Sequence, residues 1–203
     1  MSVNLIKCGV GNIGSVKNAL NQIGYEPNIV ENPNQFNDNF KKIILPGVGS
    51  FDSFIISLKR SGLFNEIISS VNNRQFSILG ICVGLQSFFE TSEEGSETGL
   101  SLIKGSVVKI KSDQDIKIPH MGWNDIIVDK ENSLLTDIPK NKFYFAHSYC
   151  VKPLYEESIL AHTIYDKKIP VVINYKNIYG VQFHPEKSFL QGQKILKNFI
   201  DLC

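Results

Sequence analysis

Three short runs place chemistry-bearing residues where apolar strands end. In Gly80-Ile81-Cys82-Val83-Gly84 a cysteine falls between an apolar strand and a helix, with a glycine two positions to either side. Small neighbours let the chain bend sharply, as in the strand–turn–helix elbow that presents the nucleophile of G-x-S-x-G hydrolases, here with sulfur replacing oxygen. A helix N-terminus favours negative charge, so the position enriches a thiolate, and it offers backbone N–H groups to an oxyanion. A lone cysteine at a strand end is more often an inert buried thiol. The paired glycines are what favour a nucleophile.

A thiolate that attacks an amide needs a proton donor for the departing amine. Gly180-Val181-Gln182-Phe183-His184-Pro185-Glu186-Lys187-Ser188 supplies one, because His184 stands where a strand should end. Glu186 follows across a proline that stiffens the link, placed to hold the imidazole and stabilise its protonated form. A histidine before proline is by itself more often a turn residue; beside the cysteine elbow it becomes an acid–base candidate. The third run is Leu45-Pro46-Gly47-Val48-Gly49. Two glycines and no bulky polar side chain suit a loop whose backbone amides approach a substrate closely, although an ordinary strand-to-helix turn reads the same way.

The elements that must hold these runs alternate in the first half. VNLIKC (3–8), Pro27–Val30, KIILPG (42–47) and FSILGI (76–81) read as strands. Between them lie an amphipathic helix carrying Val16, Ala19, Leu20 and Ile23, a helix or loop near Asn34–Phe40, and a helix from Phe51 to Phe64 continuing to about Val71. VGLQSFFE is expected to be helical directly after Cys82. Successive βα units with near-continuous apolar strands imply a parallel sheet covered on both faces. After about residue 100 the runs LIKGSVVKI, WNDIIVD, KFYFAHSYCV, SILAHTIY, IPVVINY and NIYGVQF look like strands, with a hairpin between Tyr175 and Gly180. SFLQGQKILKNFIDLC closes the chain as an amphipathic helix. The expectation is an α/β fold in one domain over 1–203, with a mixed central sheet that is parallel in front and largely antiparallel toward the C-terminal half.

Bulk properties exclude several classes. The 203 residues are 42% hydrophobic, enough for one sizeable core, and a net charge of +1 gives no global basic field for nucleic acid. No apolar stretch reaches about 18 residues and no basic start precedes an apolar run, so neither a membrane span nor a signal peptide is expected. Cys8, Cys82, Cys150 and Cys203 lie far apart, and His120, His147, His162 and His184 form no HxxxH pair. No metal site, cofactor or disulfide framework is therefore expected, and a reducing cytoplasmic setting fits best.

Taken in order, the cysteine elbow, HPE and PGVG resemble the class I, triad-type glutamine amidotransferases. GNIGSVKNAL (11–20), LPGVGSFD (45–52), LGICVGLQSFFETSEEG (79–95), GLSLIKGSVVKI (99–110), PHMGWN (119–124), FYFAHSY (143–149) and GVQFHPEKS (180–188) are most similar to the glutaminase subunits of imidazole glycerol phosphate synthase, across nearly the whole chain. That resemblance implies a three-layer fold and hydrolysis of L-glutamine to glutamate and ammonia. It implies a heterodimer with a (βα)8-barrel cyclase, which uses the ammonia to make imidazole glycerol phosphate and aminoimidazole carboxamide ribonucleotide. By motif position, Cys82 is the nucleophile, His184 the acid–base and Glu186 its orienter. Gly47, Val48, Gly49 and Val83 serve the oxyanion, and Gln86, Glu94, Ser148 and Tyr149 hold glutamine. The PGVG strand is the element such proteins reorient on activation. Asn12, Met121, Trp123 and Lys187 fall on the partner-facing surface.

Plainer readings stand beside these. Met121 and Trp123 suit a core, Glu94 lies in a charged stretch that reads as a solvated loop, and Tyr149 sits in an aromatic strand. Lys7-Cys8 replaces the Asp-Tyr common in the family, and Val83 and Leu85 replace Leu and Met. A similar subgroup supplies ammonia for amidating surface-polysaccharide sugars; Lys-Arg-Ser-Gly-Leu (59–63) and GVGNIGSV keep it as an alternative. Gly9-Val10-Gly11-Asn12-Ile13-Gly14 also spells G-x-G-x-x-G, with Glu31 at a ribose-binding distance, which is the pattern of a dinucleotide-binding protein. That rival leaves the other three runs unexplained.

Overall fold

The computed structural model describes residues 3–9, 13–73, 75–113 and 116–203. The first half runs β1 (Asn4–Ile6), α1 (Ile13–Gln22), β2 (Asn28–Val30), β3 (Lys42–Gly47), α2 (Phe51–Arg60), α3 (Leu63–Asn72), β4 (Ser77–Cys82) and α4 (Val83–Gln86). The second half adds β5 (Thr91–Ser92), β6 (Gly105–Lys109), β7 (His120–Asp125), β8 (Ile127–Val128), β9 (Lys142–His147) and β10 (Tyr149–Pro153). It ends with β11 (Ile159–Tyr165), β12 (Lys167–Tyr175), β13 (Ile178–Val181) and α5 (Phe189–Leu202).

Eight strands form the central sheet in the order β2-β1-β3-β4-β13-β12-β11-β8. Pairing is parallel from β2 through β13 and antiparallel from β13 to β8. The parallel strands are the continuous Ile/Leu runs, and Ile43, Ile44, Leu45, Ile78 and Leu79 are wholly buried between helical layers. Helix α5 brings Ile195, Leu196, Phe199 and Ile200 onto the sheet. Truncating a buried aromatic such as Phe199 to alanine costs about 3–5 kcal/mol. The β12–β13 hairpin turns at Lys176-Asn177, with Tyr175 opposite Ile178.

The remaining strands leave that sheet. β10-β6-β5 make a three-stranded sheet and β7-β9 a two-stranded one. KFYFAHSYCV is thus two strands divided at Ser148, each in a different sheet. Two helical expectations are also corrected. The stretch from Phe51 is broken at Gly62, whose φ of 77° ends one helix and starts the next. VGLQSFFE is helical for a single turn only. The carbonyls of Ser87, Phe88 and Glu90 accept from Leu100, Ile103 and Gly99 instead of continuing a helical ladder, and Phe88 and Phe89 are driven fully into the core.

Candidate active site

Strands β3, β4 and β13 are parallel neighbours, so their C-terminal ends open onto one edge, where α/β sheets bind ligands. The register sets Gly47 beside Cys82 and Val181 beside Ile81. PGVG, the cysteine elbow and the HPE run therefore meet although well over a hundred positions separate the first from the last.

Cys82 sits at φ 55°, ψ −112°, a sparsely populated conformation costing about 1–3 kcal/mol that the surrounding packing must impose. Gly84 makes this possible: a Cβ there would lie 1.9 Å from the Leu45 carbonyl oxygen, so only glycine lets the elbow press against β3. Around the sulfur, Gln182 Nε2 lies at 3.6 Å and the Ala146 carbonyl at 4.0 Å, and the His184 imidazole lines the same cavity and interacts with it electrostatically. His184 Nδ1 lies 2.9 Å from Glu186 Oε1, which leaves Nε2 for the sulfur. The Glu186 side chain is 2% exposed, and its Oε2 has no hydrogen-bond partner among the described residues.

Burial alone would depress the His184 pKa. The hydrogen bonds and charges of Cys82 and Glu186 overcome that and raise it to about 10. With α4 only one turn long, the helix dipole expected to support a thiolate is small, and the imidazole takes over that electrostatic role. Its backbone is held just as firmly. His184 N–H donates to the Tyr144 carbonyl at 2.9 Å, and Ser188 Oγ donates to the His184 carbonyl at 2.6 Å.

A cavity of about 340 Å³ opens over this group. Cys82 and His184 line it together with Val48, Gly49, Val83, Gln86 and Glu94, and with Ser148 and Tyr149 from the β9–β10 junction. As first residue of a helical turn, Val83 has a backbone N–H without an intrahelical partner. Gly47 is buried at the end of β3, paired with Cys82, and is not part of the cavity lining. Gln86 Nε2 donates to the Tyr149 carbonyl and to Gln182 Oε1, both at 3.0 Å. Glu94 is not simply solvated: its Oε2 accepts from Phe51 N–H at 2.8 Å, capping α2, while the Asp52 carboxylate accepts from the amides of Ser96 and Glu97. Sequence reasoning missed Gln182 and His147. Their signal was a polar side chain inside an apolar strand next to a motif residue, Gln182 two positions before His184 and His147 directly before Ser148.

Met121 and Trp123 are exposed, 64% and 41%, which disposes of the core reading. Trp123 stacks on exposed Phe189 at 5.2 Å, and Lys187 lies 5.4 Å over the Tyr144 ring. Met121 and Lys187 both reach the cavity wall. Asn12 lies outside the described residues, as does the middle of the Gly9–Gly14 run; Glu31 is engaged by Lys7 in an ion pair. Among the described residues no group of three or more metal-ligating side chains converges, and no helix is long and apolar enough to cross a membrane.

Solved structures share this architecture. A crystal structure titled glutamine amidotransferase superposes with a TM-score of 0.77 at 19% identity, covering 98% of this chain and 97% of the other. The PurLQS structure from Thermotoga maritima gives 0.76 at 21% identity, covering 98% and 97%. These likenesses define the fold. The class-I glutamine amidotransferase family matches residues 4–202, and the chain belongs to it. Among relatives, imidazole glycerol phosphate synthase subunit HisH 2 of Methanococcus maripaludis is 41% identical over 98% of both chains. Subunit HisH of Bacillus subtilis is 38% identical, covering 99% of this chain and 96% of that one.

Proposed function

We propose that this chain is the glutaminase subunit of an imidazole glycerol phosphate synthase, acting as one amidotransferase domain in the cytoplasm. The observation that carries the reading is the meeting of the Cys82 sulfur with the His184–Glu186 pair at the base of a cavity also lined by Gln86, Glu94, Ser148 and Tyr149. Cys82, as thiolate, attacks the side-chain amide carbon of L-glutamine. The oxyanion forms toward the backbone amides of Val83 and the Gly47–Val48–Gly49 strand. His184 protonates the departing nitrogen, which leaves as ammonia, and a thioester to Cys82 remains. His184 then takes a proton from water, hydroxide adds to the thioester, and glutamate is released as sulfur departs. Glu186 holds the imidazole in place through both steps and stabilises it whenever it carries the second proton.

The exposed Met121, Trp123 and Phe189 beside the cavity mouth form the apolar surface on which a (βα)8-barrel cyclase would seat, with Lys187 at its edge and Asn12 contributing by motif position. Ammonia then crosses directly into the barrel. Glutamine hydrolysis measured alone and with a liganded cyclase tests this reading. Low activity alone, strong stimulation by the partner and imidazole glycerol phosphate formed from glutamine nitrogen are expected. Transfer only to a nucleotide sugar, or full activity with no partner, contradicts it.

A further inference from the structure

Two buried histidines have no part in the mechanism above. His147 Nδ1 lies 2.8 Å from the Tyr149 carbonyl oxygen, its Nε2 lies 2.9 Å from His120 Nδ1, and His120 Nε2 lies 3.3 Å from Asn124 Nδ2. The His120 ring is stacked between Phe145 and Tyr165, with centroids 4.6 and 4.0 Å away. A carbonyl oxygen can only accept, so His147 Nδ1 carries a proton and, in the neutral ring, its Nε2 does not. That bare nitrogen must accept from His120 Nδ1–H, which leaves His120 Nε2 to accept from the Asn124 amide. The same amide donates to the Ile164 carbonyl at 3.1 Å, so its orientation is fixed independently. Every donor and acceptor is assigned, and all three bonds run in one direction.

Neutral rings are required, since a second proton on either histidine would oppose two donors. Burial favours that state, lowering His120 to about 4. Burial also lowers His147, to about 3, against its bond to Tyr149 and with the charges of His120 and His184. The line ends at a strategic atom. The Tyr149 carbonyl accepts from His147 on one side and from Gln86 at 3.0 Å on the other, so both lone pairs are committed and the Ser148–Tyr149 wall of the cavity is fixed in rotation.

We propose that His120 and His147 are positioning residues for the glutamine site, transmitting a one-way hydrogen-bond line from Asn124 on β7 to the Tyr149 carbonyl. This rests on the amidotransferase reading. Glutamine turnover by the unsubstituted chain, with Cys82→Ala as blank, tests that reading separately.

The line itself is tested in the full chain by ring ¹⁵N shifts and by kinetics. At pH 7 both histidines should show a protonated Nδ1 and a bare Nε2; an Nε2–H tautomer or an imidazolium at either position overturns the proposal. His120→Phe keeps an aromatic ring between Phe145 and Tyr165 and removes both nitrogens. KM for glutamine should rise about tenfold, the scale of one lost buried hydrogen bond, with kcat within about twofold. His120→Asn, which can still donate to His147, should recover part of that loss. Unchanged KM in folded His120→Phe, or kcat and KM falling together, overturns it. If neither variant folds, the ring-nitrogen spectra of the unsubstituted chain decide.

Discussion

The same residue type is driven toward different protonation states at two buried places in this molecule. At the base of the cavity, His184 faces a carboxylate on one nitrogen and a sulfur on the other, and its pKa is lifted to about 10 despite burial. In the two-stranded β7–β9 sheet, His147 and His120 face a carbonyl, an amide and each other, and burial prevails, leaving them near 3 and 4. Both places are buried. What separates them is whether a group able to carry negative charge lies within hydrogen-bonding reach. The cavity region is suited to store and return a proton, whereas the β7–β9 sheet is suited only to hold geometry.

Each way of disturbing that contrast has an expected size. Cys82→Ala removes the proposed nucleophile, and glutamine hydrolysis should fall by on the order of 10⁴-fold or more while partner binding in a pull-down persists. His184→Gln should cost about 10²–10⁴-fold in kcat with little change in KM, because its proton transfers occur only in the chemical steps. Glu186→Gln removes one of the groups that raise the imidazole pKa. A ¹H–¹⁵N titration should then place His184 well below its present value, and the rate should drop about 10²-fold. An unchanged titration would mean that the pair is not electrostatically coupled.

The smallest effect is on stability against pH. His184 has a folded pKa above the usual 6.5, so its pairing stabilises the fold fully below about pH 6.5 and is lost as pH rises toward about 10. His120 and His147 have folded values below 6.5, so unfolding takes up protons and stability is lost as pH falls from about 6.5 toward 3–4. Melting temperatures across pH should show His184→Gln flattening the alkaline limb and His120→Phe moving the acid limb to lower pH.

The contrast also marks what the chain reveals before folding. The parallel half was legible because its strands are unbroken apolar runs ending in glycine-flanked motifs, and KIILPG coincides with β3 to the residue. Cys82, His184 and Glu186 stood out for their residue type at a strand end, and their convergence follows from the β3-β4-β13 order, which no local pattern encodes. The single turn of α4 was hidden because VGLQSFFE has helical periodicity; tertiary bonds from residues 99–103 capture its carbonyls instead. His120 and His147 were invisible as a pair. They lie 27 positions apart, and only the antiparallel register of β7 with β9 sets them opposite one another.

The claim that matters most is that Cys82 alone, activated by His184, forms the covalent bond to glutamine. Burial raises the thiol pKa of Cys8 and Cys203, and burial followed by the Glu93 charge raises that of Cys150 to about 11, so these three resist alkylation. Mass spectrometry of the chain after exposure to a glutamine-derived diazo-ketone reads the outcome directly. One adduct on the Cys82 peptide, blocked by excess glutamine and slowed in His184→Gln, is the result expected here. An adduct on Cys8, Cys150 or Cys203, or glutamine turnover that survives with Cys82 unmodified, would contradict it.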